Sequence, residues 1–535
     1  MKILFLYPNF YGMNMLPTGV GLLIRAATNA GHKTSVFDTT QYLGWFGEDN
    51  DEKKQAVLSV REYDPALIKQ GDKLSSPIDD FQSHVSSFSP DLIALSMTED
   101  MFNNGINILN SINWPDRPKV VAGGVFPTFA PELVLRKSNG LIDYVLIGEG
   151  ERSLIQLCDA LERKISLSDV EGLWRLKKDS VVKGRPPTLT DVNESPLLPD
   201  FDQFDESRFY RPMVGKVWRM FPIETARGCP YTCAYCNSPS QTTKFGDTKQ
   251  HFFRKKSMRL VKKEIEHVIS RYQADSIDFW ADTFLAMSDY DFDEFIEMYS
   301  DIRLPFWIQN RTETVTEEKF KKLLDVGLMR VDFGIEHGNE QFRRKMLLRR
   351  VSNDSIVSKL DIVKDLGVSF ATNNIVGFPM ETRDLALETV ELNRRIRSDG
   401  ASITTFVPFH GTPLRTLSES LGYVQPGQIA QSIFNPTMLD MPQWNQKEIS
   451  GFTRCFVLYI ALPKSMWPEI EKAEQLTPEG DEVWEKLRQY TLENQLVWDD
   501  PSVKSDNETT TNIGPTADGH AIPLSENFSR GETVQ

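Results

Sequence analysis

The sequence predicts an α/β protein: an N-terminal doubly wound parallel sheet, then a partial (β/α)6 barrel, then a small helical C-terminal domain. Three observations lead there. A chain of 535 residues exceeds what one hydrophobic core organises and requires two or three domains. Short apolar strands alternate with amphipathic helices through residues 1–165, the pattern of parallel βαβ units. The alternation resumes after a proline-punctuated stretch and gives six more units over residues 221–423, too few for a closed eight-fold barrel.

Taken in order, KILFLYP reads as the first strand, GVGLLIRAATNAGH as a helix and KTSVFDTT as the second strand. DLIALSMT, KVVAGGV and DYVLIGEGE follow as short strands ending in small or polar residues, where a doubly wound sheet binds its ligand. Residues 166–220 hold a hairpin, EGLWRLKKDSVVKGRPP, and a linker, SPLLPDFDQFD. FPIETAR, SIDFWA, PFWIQN, RVDFGIE, SFATNNIVG and ASITTFVPF are the barrel strands. Residues 424–498 carry helical periodicity, and the polar tail 499–535 lacks the apolar content to fold.

The composition, 40% hydrophobic and 25% charged, is that of a globular protein. A net charge of −15 argues against a broad nucleic-acid-binding face. No apolar run reaches the ~20 residues of a membrane span. MKILFLYPNF is a first strand rather than a signal peptide, so the expected location is cytoplasmic.

Three of the five cysteines crowd into RGCPYTCAYCN, where Cys229, Cys233 and Cys236 stand in a C-x3-C-x2-C spacing after a predicted strand. Thiolates this close can wrap one iron–sulfur cluster, and three ligands leave one iron of a four-iron cluster open. Structural zinc would want a fourth Cys or His at a regular spacing, and none follows. Cys158 and Cys455 lie in apolar helical contexts and read as free buried thiols.

The loop resembles the signature of the radical S-adenosylmethionine (SAM) superfamily. The resemblance implies a [4Fe-4S] cluster whose open iron is chelated by SAM and whose electron splits SAM into methionine and a 5′-deoxyadenosyl radical. It extends over FWADTF at Asp282, IQNRTE at Arg311, FGIEHGNE at Glu336, NNIVGFPMET with Asn374, Gly377 and Pro379, and FHGTPL at Phe409 to Leu414. These are expected at strand ends around SAM, although Asp282 alone could be a helix cap and Glu336 could simply pair with an arginine.

The first domain resembles the cobalamin-binding domain of one large radical SAM class, through YPNFYGMNMLPTGVGLL, AGHKTSVFD, PDLIALSMT, VVAGGVFPTFAPE and DYVLIGEGE. The resemblance places Ser96, Thr98, Gly123, Gly124, Gly148 and Glu149 along the cobalamin crevice. The D-x-H-x-x-G motif that gives cobalt a histidine is absent. His32 reads as a helix cap and His84 as a loop residue, so no lower histidine ligand is expected from this domain.

Together the cofactors imply methyl transfer to an unactivated carbon or phosphinate of a small molecule, with flavodoxin or ferredoxin as electron donor. The alternatives are a radical cyclisation, like that of the anaerobic cyclase of bacteriochlorophyll synthesis, and a non-catalytic cobalamin or cluster sensor. Methylthiotransfer would call for a further cysteine trio, and residues 1–157 contain no cysteine. Tyr235, His337 and His410 lie near strand ends without an assigned catalytic role. Trp444, Trp467 and Trp484 either cap the barrel mouth or form core.

Overall fold

The computed structural model describes residues 1–45, 47, 51–112, 117–163, 166–193, 197–245 and 252–497. The polar tail 499–535 lies outside them. The first sheet contains β1 (Lys2–Tyr7), β2 (Lys33–Asp38), β3 (Leu92–Ser96), β4 (Lys119–Gly123) and β5 (Tyr144–Leu146), all parallel. Along β1, Ile3 and Phe5 face one helix layer while Leu4 and Leu6 face the other, all four buried. That double burial is why the strand is an unbroken apolar run.

The order β2-β1-β3-β4-β5 reverses direction between β1 and β3, the switch point where doubly wound sheets open a crevice. The hairpin expected between the domains belongs to this sheet. Its strands β6 (Leu173–Lys177) and β7 (Ser180–Lys183) add antiparallel to β5 and bring the sheet to seven strands.

The second sheet begins earlier than expected, because β8 (Tyr210–Met213) and β9 (Lys216–Glu224) form a hairpin across Val214 and Gly215, both at positive φ. A short pair, β10 (Ala226–Arg227) and β11 (Arg254–Lys255), brackets the cysteine loop. The remaining strands β12 (Ser276–Trp280), β13 (Phe306–Asn310), β14 (Leu328–Glu336), β15 (Ser369–Val376) and β16 (Gly400–Thr405) follow β9 in chain order, all parallel. These six strands are the expected partial barrel.

Linker aromatics join the two sheets. Phe201, Phe204 and Phe209 pack with Phe221, whose ring stacks on Tyr272 at 5.2 Å and 12°, and the apolar core runs without a break from the first sheet into the barrel. Residues 56–62 of the first domain reach the open side of the barrel. Leu58 is buried in the C-terminal core, Ser59 lies beside Gly400 at the start of β16, and Glu62 lies beside Gly215 ahead of β9.

The C-terminal helices Gln446–Ala461, Trp467–Ala473 and Pro478–Glu493 flank the barrel. Arg394 of the helix Arg383–Ile396 donates to the carbonyls of Tyr459 and Leu462, each at 2.7 Å. Trp444 is buried edge-on to Phe452, and half-buried Trp467, edge-on to Tyr459, and Trp484, beneath Arg454, pack against the same C-terminal core, which favours the core alternative.

His84 is not in a loop. It lies in the helix Pro77–Phe88, which Ser76 caps and Pro77 starts, and it bonds Ser35. The ring of His32 meets the N-terminal ammonium at 3.1 Å, so its backbone caps the helix while its side chain does not serve the helix dipole. Burial, with that ammonium beside it, holds its pKa below the ordinary value. Among the described residues no helix is long and apolar enough to cross a membrane.

A candidate cluster and cofactor crevice between the two sheets

The cysteine loop leaves β10 through Gly228 at φ +91°, where a Cβ would stand 2.7 Å from the Phe252 carbonyl. Only glycine makes this turn without displacing backbone. Cys233 is buried, and Cys229 and Cys236 are half-buried. Cys236 caps the helix Asn237–Lys244, its sulfur accepting from the Ser238 amide at 3.4 Å. Arg311 Nη1 donates to the Cys233 sulfur at 3.2 Å.

Burial, with Asp282 and the neighbouring thiols beside them, pushes the Cys229 thiol up to about 11 and the Cys236 thiol up to about 12. Such thiols deprotonate when a metal supplies the compensating charge. An all-sulfur donor set already receiving N–H groups suits a cluster that spreads three thiolates over three irons.

The later strand ends ring this loop. Asp282, just past β12, accepts from the Ser238 hydroxyl and opens onto the crevice, whose walls push its carboxyl above the usual range. It does not cap a helix. Glu336 ends β14 at φ +70°, beside a register shift, and Arg349 Nη1 reaches its carboxylate at 2.8 Å. A non-glycine residue held there is strained, a condition that concentrates at functional sites. Burial pushes its pKa up against the pull of Arg349 and Tyr235.

Gly377, at φ +81°, begins a loop whose amides at Gly377 and Phe378 bond Glu381 at 2.6 and 2.9 Å. Fully buried His337 closes the same carboxylate at 3.2 Å and accepts from Asn339 through its other ring nitrogen, so it braces this loop.

Asn374, expected beside SAM, has its side chain engaged within the fold. It shares the helix-facing side of β15 with Thr372, and its amide is engaged by Ser402 O at 3.0 Å and Asn393 Nδ2 at 2.9 Å. Strand side chains alternate, so Asn373, joined to Ser402 Oγ at 2.7 Å, takes the interior side instead.

In the first domain, Ser96 and Gly123 pair at the ends of β3 and β4, and a Cβ at Gly123 would have nothing nearer than 3.9 Å. The Thr98 hydroxyl donates to Asp100, leaving its lone pairs to the crevice. Gly148, at φ +84°, packs under Phe245. Gly124 has φ +109° and ψ −170°, and a Cβ there would stand 2.5 Å from Met97 O. Gly124→Ala is therefore expected to lower stability by about 1–3 kcal/mol, read as a shift of the urea midpoint.

Glu149, expected along the cobalamin crevice, is held by protein partners. Its carboxylate is bound by Arg254 and by Arg227 (3.4 Å) and accepts from the Thr190 amide at 2.6 Å. Burial opposes its charge, but Arg254 and Arg227 hold the pKa below the ordinary value. It ties β5 to the cysteine-loop strands.

Glu99, which the sequence reading missed, makes the other tie. Almost fully buried after β3, it accepts from His410 N (2.9 Å), His410 Nδ1 (2.6 Å) and Ala430 N (2.7 Å). Asn237 beside the cysteines donates to His410 O at 2.8 Å. The carboxyl ends of both sheets therefore face each other around the three sulfurs.

Within the half-barrel, Gln309 and Trp280 are exposed although they lie at or near mid-sheet, so the interior is open there. Beneath them the charges pair off: Arg211 with Asp278 at 3.1 Å and over the Trp307 ring at 5.0 Å, and Arg330 with Asp332 at 3.0 Å. Burial, with Asp332 nearby, raises Asp278 from 3.8 to about 6 despite Arg211.

The folded carboxyl thus holds its proton more tightly than the unfolded one. Folding takes up protons between those two values, and this group's contribution is fully present below the lower and lost as pH rises through the upper. Asp278→Asn abolishes the dependence. The stability of the variant relative to wild type should rise by roughly 3 kcal/mol between acid and neutral pH in denaturant melts.

A parallel barrel with a three-cysteine loop at its strand ends, facing a doubly wound sheet, defines a two-cofactor α/β enzyme. Two family models match: the B12 binding domain over residues 12–157 and the radical SAM superfamily over residues 223–392. An uncharacterised methyltransferase of Pyrococcus horikoshii is 26% identical over 66% of this chain and 75% of its own. The anaerobic magnesium-protoporphyrin IX monomethyl ester cyclase of Rubrivivax gelatinosus is 24% identical over 71% and 68%.

Among solved structures, the methyltransferase TsrM of Kitasatospora setae, with cobalamin and a [4Fe-4S] cluster bound, has a TM-score of 0.62 at 15% identity, covering 92% of this chain and 99% of its own. OxsB with aqua-cobalamin and SAM has a TM-score of 0.61 at 15% identity, covering 91% and 71%. At that identity the likeness is one of fold. The chain belongs to the radical SAM superfamily, as a member carrying a B12-binding domain. It is a radical SAM enzyme whose cofactors are a [4Fe-4S] cluster, SAM and cobalamin.

Proposed function

We propose that the protein transfers a methyl group to an unactivated carbon, or a phosphinate, of a small-molecule substrate. The observation that carries this reading is the meeting of the two sets of strand ends. Glu99–His410 and Glu149–Arg254 hold the first sheet against the cysteine loop, so both cofactors would share one crevice with the barrel interior. When bound, the cofactors supply the difficult chemistry: an electron that cleaves SAM to a radical, and a carrier for the methyl group.

The chain's own residues do the rest. Cys229, Cys233 and Cys236 hold the iron. Asp282, Arg311, Glu336 and Gly377 border SAM. Ser96, Thr98 and the open face of Gly123 leave room for cobalamin, and Gly124 and Gly148, packed against Met97 and Phe245, shape the turns beside it. Trp280, Gln309 and Asn373 orient the substrate inside the barrel. The charged residues below them are paired with one another, which favours a substrate recognised through hydrogen bonds and a flat face. A flavodoxin- or ferredoxin-type protein would supply electrons.

Two relatives are named or titled methyltransferases, which supports this reading, and one is named a cyclase, which keeps radical cyclisation as the second. Product analysis after anaerobic reduction with SAM and hydroxocobalamin separates the two. Methyl transfer yields S-adenosylhomocysteine together with 5′-deoxyadenosine. Formation of 5′-deoxyadenosine without S-adenosylhomocysteine contradicts methyl transfer and favours cyclisation.

A further inference from the structure

We propose that Arg311 sets the reduction potential of the cluster through a charge-assisted hydrogen bond to the Cys233 sulfur. The inference rests on the radical SAM reading of the cysteine loop and adds a role for one side chain within it. Arg311 is nine-tenths buried and is aimed by three contacts. Nη1 meets the Cys233 sulfur at 3.2 Å, Nη2 pairs with Glu313, and the guanidinium lies 3.9 Å from the Tyr231 ring, inside the cysteine loop itself. Its Nε is buried without a partner, so the group is not placed to satisfy all its own donors. Its fork is instead fixed against one ligand sulfur.

Around it, Arg349 pairs with Glu336 at 2.8 Å and lies 3.9 Å from Glu313. Two cations and two carboxylates therefore balance locally, and Arg311 is the cation hydrogen-bonded to sulfur.

Reduction adds one electron to the cluster from a low-potential one-electron donor, with no proton moved and no bond made or broken. The added negative charge spreads onto the sulfurs. A cation donating to one of them stabilises the reduced form more than the oxidised form, which raises the potential. Removing the positive charge must lower it, and removing the neutralising carboxylate of Glu313 must raise it. A merely structural arginine would not move the potential in both directions.

The test is an EPR-monitored redox titration of the reconstituted full chain with dithionite, without SAM, so that any contact of Arg311 with SAM cannot contribute. Iron and sulfide content are measured on every sample. For Arg311→Gln, the ratio of reduced to oxidised cluster at the wild-type midpoint should fall about tenfold, a shift of about 59 mV for one electron. Glu313→Gln should shift the ratio the other way. Should Arg311→Gln fail to hold a full cluster, Glu313→Gln decides: removing the carboxylate that neutralises Arg311 must raise the ratio, and an unchanged ratio in that variant overturns the proposal. An unchanged midpoint in a fully loaded Arg311 variant overturns the proposal alone. Absence of a cluster from wild type overturns the radical SAM reading and this proposal with it.

Discussion

The triple substitution Cys229→Ala, Cys233→Ala, Cys236→Ala should abolish SAM cleavage while leaving a folded protein. The three sulfurs supply all the cysteine ligands of the loop, and the two remaining cysteines, Cys158 and Cys455, are buried in helices away from it. Iron should therefore fall from about four per chain to background, and 5′-deoxyadenosine should become undetectable.

The fold should persist because the loop turns on Gly228 and packs through aromatic side chains. Losing the sulfur contacts of Cys233 with Arg311 and of Cys236 with the Ser238 amide costs stability without undoing the turn. Tyr231 lies against Arg311, and Tyr235 against Phe378 at 6.1 Å. Circular dichroism and urea unfolding check this. A variant that keeps its iron, or that cleaves SAM without it, contradicts the assignment of the site.

Arg208→Ala should cause the largest loss of stability of any single change considered. Arg208 comes from the linker, is fully buried, and enters the carboxyl ends of β1 and β2. There it pairs with Asp38 and bonds the carbonyls of Asn14 and Met15. Its guanidinium lies between the rings of Tyr7 at 5.7 Å and Phe204 at 5.8 Å.

Removing one partner of a buried pair leaves the other charge uncompensated, a loss of about 3–5 kcal/mol. Against a total stability of about 5–15 kcal/mol, that lowers the urea midpoint severely. Arg208→Met combined with Asp38→Asn should recover much of the loss, because two neutral groups leave no orphan charge. Failure of the double variant to improve on the single would show that shape, not charge pairing, dominates there.

What was legible in the sequence was local. The C-x3-C-x2-C spacing needs only eight consecutive residues, and the strand and helix periods locate both sheets. Features set by register or by distant contacts were not legible. Asn373 and Asn374 are adjacent asparagines, and which one faces the barrel depends on a pleat that the run NN does not reveal. Glu149 ends a strand as a cofactor contact would, but Arg254, more than a hundred positions on, takes its carboxylate. Glu99 meets His410 across 311 positions, so nothing near either residue announces the pair. His84 could have been placed: Ser76 before Pro77, with Asp79 and Asp80 in the first turn, is a helix start signal.

The most direct test of the central claim, one crevice holding both cofactors, is the iron and corrinoid content of the anaerobically reconstituted full chain. The account predicts about four irons and one corrinoid per chain, with the iron lost and the corrinoid kept in the triple cysteine variant. A chain that takes up iron but no corrinoid, or zinc in place of iron, would contradict it.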